Sequence, residues 1–158
     1  LDIEVVPGIP AVCAAAALLG APLMHDFAVV SLSDLLTPWE AIARRVEAAA
    51  AADFVIALYN PRSGRRQSHL PRALELIARH RAPQTPVGLV KSAFRPQQQV
   101  LVTTLSGLEA GDVDMQSILL VGNSSTRMLA GPGGGRMLTP RGYAGKYQLA
   151  DGGRPQGL

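Results

Sequence analysis

A single cysteine, Cys13, excludes an intrachain disulfide and a cysteine-built metal site. It lies in the alanine-rich run AVCAAAALLG, which reads as the setting of a buried, inert thiol. Aromatic residues are only 4% of the chain, so aliphatic side chains must supply the core. An excess of one charge is also lacking. Lys and Arg number 15 against 12 Asp and Glu, a net charge of +3. That balance, with few aromatics beside the basic residues, argues against a nucleic-acid surface. No apolar run approaches the roughly twenty residues of a membrane span; AVCAAAALLGAPL breaks at Gly20 and Pro22. No basic stretch leads into an apolar one, as a signal peptide requires. His25, His69 and His80 are far apart and lack ligand spacing, so no metal is expected. The expectation is a cytoplasmic protein without nucleic-acid or membrane partners.

Hydrophobic residues make up 47% of 158, enough for one domain with a real core. The opening LDIEVV, without an initiator Met, reads as a strand or linker and suggests a piece of a longer protein. Residues 10–19 read as a buried helix between Pro10 and Gly20. Strands are expected at 27–32, 53–59, 86–91, 99–104 and 117–121. Helices are expected from Thr37, capped by its hydroxyl, and over 67–81, with a brief one at 105–109. From Gly131 onward the chain is Gly- and Arg-rich and reads as a loose tail. Alternating strands and helices point to an α/β fold with a mixed, largely parallel sheet flanked by helices.

In such sheets ligands gather where strands end. Tyr59-Asn60-Pro61 stands at the end of one apolar strand, followed by Arg62, Arg65 and Arg66, whose forked guanidinium groups suit carboxylates. VGNSST, at the end of another strand, either caps a helix or cradles an anion. GPGGGR lacks the Lys-Ser/Thr of a phosphate loop and reads as a connector. Ser31, Ser33 and Asp34 lack a nucleophile elbow and read as a strand end with a turn. The residues alone thus reach an α/β domain with a ligand edge that favours anions.

Four stretches in order, VVPGIPAVCAAAALLGAPL, FVIALYN, PVGLVKSAFRPQQQVLVTTL and ILLVGNSST, resemble the tetrapyrrole methylases that use S-adenosylmethionine. LLGAPLMHDFAVVSLSDLLTPWEAI, ALYNPRS and TPRGYAGKY resemble the branch that methylates precorrin-3B at C17, with ring contraction, in cobalamin biosynthesis. The resemblance covers about residues 3–147. It implies the second of two α/β domains, with a linker at 1–12, a cofactor-binding domain at 13–130 and a tail at 131–158. It also implies a precorrin-type substrate, a partner N-terminal domain absent from this sequence, a homodimer, and little activity from this part alone. Carried over by position, the cofactor contacts are Pro10, Ala11, Tyr59, Asn60, Ala93 and Gln116. Arg62, Arg65 and Arg66 would then hold substrate carboxylates. No general base emerges; His25 and Asp34 qualify by chemistry only. The alternative is a non-catalytic domain that binds an anionic nucleotide through NSST and the arginines, or serves dimerisation.

Overall fold

The computed structural model describes residues 1–64, 66–131 and 134–142. Helix α1, Ala11–Leu19, begins after Pro10, whose carbonyl accepts the Cys13 and Ala14 N–H groups at 3.0 and 3.2 Å. The first N–H groups of a helix lack partners within it. Here the Val12 N–H donates to the Tyr59 hydroxyl at 2.7 Å. Val12, Ala15, Ala16 and Leu19 are buried, a stripe at helical spacing. Cys13 lies off that stripe and is exposed, which corrects the expectation of a buried thiol. The run is apolar all round, and composition does not say which face meets the core.

Five strands form the main sheet: β2 (Phe27–Ser31), β3 (Val55–Tyr59), β4 (Pro86–Lys91), β5 (Gln99–Thr104) and β6 (Ser117–Val121). Their spatial order is β2-β3-β6-β4-β5. The sheet is mixed and flanked by helices, as expected. The parallel bias is not found: β2 and β3 pair parallel, but β6 runs antiparallel to both β3 and β4, and β5 antiparallel to β4. The reason lies in the connections. Helices α2 (Trp39–Ala51) and α3 (His69–Ala78) carry the chain from β2 to β3 and from β3 to β4, so those three strands point one way. A short turn then reverses the chain into β5, and β6 returns between β3 and β4. A strand covered on both faces reads as a continuous apolar run whatever its neighbours' direction.

Alternate side chains of the central strands serve two cores. Ile56, Leu58, Leu89, Leu119 and Val121 pack under Ile42 and Val46 of α2 and Leu70, Ala73 and Ile77 of α3. Ala57, Val90, Ile118 and Leu120 meet α1 on the other face. Gly88 makes that contact possible. A Cβ there would lie 2.5 Å from a Leu19 methyl and 2.8 Å from Met137 Sδ.

Helix α2 starts at Trp39 with Pro38 at its cap and no side-chain cap bond, so Thr37 does not cap it. The turn at 105–107 is not helical; a 3₁₀ turn follows at Ala110–Asp112. Part of the stretch read as a tail is ordered. β8 (Arg136–Leu138) lies between β1 (Gly20–Ala21) and β7 (Arg127–Leu129) in a second, three-stranded sheet, with Met137 buried in the α1 core. Glycines concealed the alternation that buries the central residue of Arg-Met-Leu. Residues 143–158 lie outside the described residues. Among the described residues no helix is long and apolar enough to cross a membrane.

Candidate functional site: a cleft at one edge of the sheet

The topology brings five strand ends to one edge. β2, β3 and β4 finish there, and β5 and β6 begin there: Ser31 pairs with Tyr59, and Lys91 with both Ser117 and Gln99. A cleft of about 490 Å³ opens at this edge beside the start of α1. Ile9, Ala11 and Ala14 form one wall. Tyr59 ends β3 and Asn60 follows it, and Val90 lies near the end of β4 with Ser92 and Ala93 after it. Met115 and Gln116 lead into β6, Ser117 and Ile118 begin it, and the exposed Arg95 completes the lining. The volume falls within the roughly 300–1,000 Å³ of small-molecule clefts.

Three backbone positions around this edge are strained. Asn60, Ser92 and Phe94 have φ of +50°, +46° and +57°. Non-glycine residues rarely adopt such angles, and they persist where surrounding contacts over-determine them. Ser92 is held twice by Gln116: its N–H donates to the Gln116 carbonyl at 3.2 Å, and its hydroxyl to Gln116 Oε1 at 2.9 Å. Gln98 Oε1 accepts the Phe94 N–H at 2.8 Å.

Asp114 fixes the approach to β6. It accepts the Gln116 N–H at 2.8 Å and the Ser117 hydroxyl at 2.8 Å, and Lys91 Nζ is 3.4 Å away. Burial raises the Asp114 pKa, but the Ser117 hydroxyl, the Gln116 N–H and Lys91 outweigh it, and the value sits below the ordinary one. A depressed folded-state value stabilises fully above the unfolded pKa of about 3.9 and is lost as pH falls through the folded value. The stability gap between wild type and Asp114→Asn is therefore expected to be full at pH 7 and to close on acidification through that range. Denaturant melts across pH measure it, and a gap independent of pH would refute the assignment.

Of the six positions carried over by resemblance, Ala11, Tyr59, Asn60, Ala93 and Gln116 line the cleft. Pro10 does not; it sits between Ile9 and Ala11, with its carbonyl engaged by α1. Two of the three arginines are already engaged inside the chain. Arg62 Nη1 donates to the Ala110 carbonyl at 2.6 Å. Arg66 binds the Asn60 carbonyl at 2.9 Å and Asp34 at 3.4 Å. Arg65 lies outside the described residues. Ile9, Ser92, Arg95 and Met115 were missed, although Arg95 follows a strand end much as Arg62 does.

Neither acid–base candidate reaches the cleft. His25 precedes β2, at the opposite edge of the sheet, and Asp34 faces Arg66 and His69. VGNSST leads into β7, not a helix, so it caps none. Its Ser124 N–H and hydroxyl donate to the Asp53 carboxylate, at 3.0 and 2.5 Å. An anion at Ser124 would have to displace that aspartate.

A mixed α/β domain with a small-molecule cleft at the strand ends is the class that fold and site define. Residues 1–109 match the family of Tetrapyrrole (Corrin/Porphyrin) Methylases. The chain belongs to that family of methyltransferases, whose cofactor is S-adenosylmethionine. It is 54% identical over 145 residues to a probable cobalt-factor III C(17)-methyltransferase of Salmonella typhimurium, covering 90% of this chain and 58% of that protein. It is 50% identical over 149 residues to the cobalt-factor III methyltransferase of Priestia megaterium, covering 94% of this chain and 27% of that one. The crystal structure of the methyltransferase CobJ superposes with a TM-score of 0.80 at 39% identity, over 88% of this chain and 56% of CobJ. The chain thus spans little more than half of these relatives, or less.

Proposed function

We propose that the cleft holds the adenosine of S-adenosylmethionine, and that the chain is the cofactor-binding half of a cytoplasmic, homodimeric enzyme. That enzyme methylates C17 of a precorrin-3-type macrocycle in cobalamin biosynthesis. In this reading residues 1–12 are the linker from an N-terminal domain and 13–130 the cofactor domain. One observation carries the proposal: five positions far apart in the sequence, named for adenosine by resemblance, line a single cleft. The fit is chemical as well. Ala11, Ala14 and Ala93 have the smallest side chains with a Cβ and leave a slot for a flat base. The relatives' names favour the cobalt-containing macrocycle over metal-free precorrin-3B.

When bound, the sulfonium supplies an electrophilic methyl group. The chain's own residues position and enclose it. Direct displacement depends on alignment, and a rim built on hydrogen-bonded strand ends keeps the alignment reproducible. Ile9, Met115 and Ile118 give the cleft an apolar lining, and water displaced from it by a bound ligand would strengthen the local electrostatics.

Calorimetry of the full gene product with S-adenosylhomocysteine tests the cofactor. Transfer of labelled methyl to cobalt-factor III and to precorrin-3B, run side by side, tests the substrate. Saturable binding and methylation of the cobalt form are expected. Heat with a nucleoside triphosphate and none with S-adenosylhomocysteine would overturn the reading.

A further inference from the structure

Asn60 is a strained point of the cleft rim. Its φ of +50° is unusual for a residue other than glycine. It also precedes Pro61, and a proline ring pushes the residue before it toward extended backbone. Two contacts oppose that push. Asn60 Nδ2 donates to Ser31 Oγ at 3.0 Å, and Arg66 Nη2 donates to the Asn60 carbonyl at 2.9 Å.

Arg66 is itself anchored. Its Nη1 lies 3.4 Å from Asp34 Oδ1, and the other Asp34 oxygen lies 3.5 Å from His69 Nε2. His69 Nδ1 meets the Leu32 carbonyl at 3.1 Å, and the ring packs on Trp39 with centroids 4.6 Å apart. Arg72 covers Trp39 at 4.2 Å. The Arg66 side chain is only 14% exposed, and its Nε is buried. The guanidinium therefore faces inward with its charge matched by Asp34. A carboxylate from outside would have to displace that aspartate.

We propose that Arg66 is a positioning residue for the cofactor. Through the Asn60 carbonyl it holds the end of β3 in the strained form that shapes the adenosine cleft, and Asp34 and His69 brace it against the start of α3. This rests on the reading that the cleft binds the cofactor. It gives Arg66 a different task from the substrate grip expected of it.

The test uses the full gene product. Arg66→Met keeps the aliphatic stem and removes the fork. The dissociation constant for S-adenosylhomocysteine is expected to rise about tenfold, the worth of one charge-assisted hydrogen bond. The macrocycle KM and the kcat at saturating cofactor should stay within about threefold. Arg66→Lys, a point charge without the fork, recovers only part. Glycine enters φ of +50° without strain, so in an Asn60→Gly background the Arg66→Met penalty should shrink to about threefold or less. Should Arg66→Met fail to fold, Asp34→Asn with and without Asn60→Gly reads the same coupling with a smaller effect.

A raised macrocycle KM with unchanged cofactor affinity would make Arg66 a substrate grip and sink the proposal. An equal penalty in the Asn60→Gly background would sink it as well. Failure of the wild-type protein to bind S-adenosylhomocysteine would instead remove the reading beneath it.

Discussion

Ala93→Trp in the full gene product is expected to weaken S-adenosylhomocysteine binding at least about a hundredfold, close to 3 kcal/mol. Ala93 is half-buried in the turn after β4 and lines the cleft. An indole there occupies the slot that the alanines leave open. Most of the added volume enters the cleft and not the sheet, so the thermal transition should remain cooperative. Titration calorimetry beside a melting curve reads both effects. Retained affinity in a folded protein would mean that the adenosine lies elsewhere, and the site assignments would go with it.

Arg81→Met is expected to cost about 3 kcal/mol of stability, because the carbonyls served by the buried guanidinium lose their donor, at about 1–3 kcal/mol for each one left buried and unpaired. The Arg81 side chain is 2% exposed. Its Nη1 donates to the Ala50 and His80 carbonyls at 2.8 and 3.1 Å, Nη2 to Phe54 at 2.9 Å, and Nε to Gly122 at 3.2 Å. Asp53 lies 3.2 Å from Nη1. One guanidinium thus ties the end of α2, the start of β3, the end of α3 and the end of β6. Burial lowers its pKa and Asp53 works against that; the group stays charged at any ordinary pH. Methionine would leave the carbonyls without their donor and Asp53 without its cation. Set against the roughly 5–15 kcal/mol of a typical domain, this is a large fraction. Urea melts measure it, and a loss below about 1 kcal/mol would show the network to be dispensable. Arg81→Lys should recover little, because an ammonium cannot span four carbonyls.

No sequence signal marked Arg81 for this role. It read as the end of a helix, and its partners are 1, 27, 31 and 41 residues away. By contrast β4, β5 and β6 were legible to the residue. Prolines, glycines and polar turns bound them, and two-sided burial leaves an unbroken apolar run in β4 and β6, while β5, at the exposed edge, shows as a short β-branched run between polar residues. Helix ends were less legible because a cap depends on a hydroxyl's direction, not its presence; Thr37 makes no cap bond.

The site divides in the same way. Ala11, Tyr59, Asn60, Ala93 and Gln116 came from motif resemblance, and nothing in composition or spacing placed them together. Their convergence depends on β6 entering between β3 and β4 in the opposite direction, which puts its first residues beside their last.

The amino-acid order by itself determined the five strands of the main sheet, the three α-helices and the family, because periodicity, breakers and motifs are local and survive without a fold. Strand direction, the exposure of Cys13, the internal use of Arg62 and Arg66 and the ordering of Arg136–Leu138 were decided only by tertiary structure. Each depends on which distant groups come within hydrogen-bonding or packing distance, and pairing across tens of residues leaves no mark in any short window.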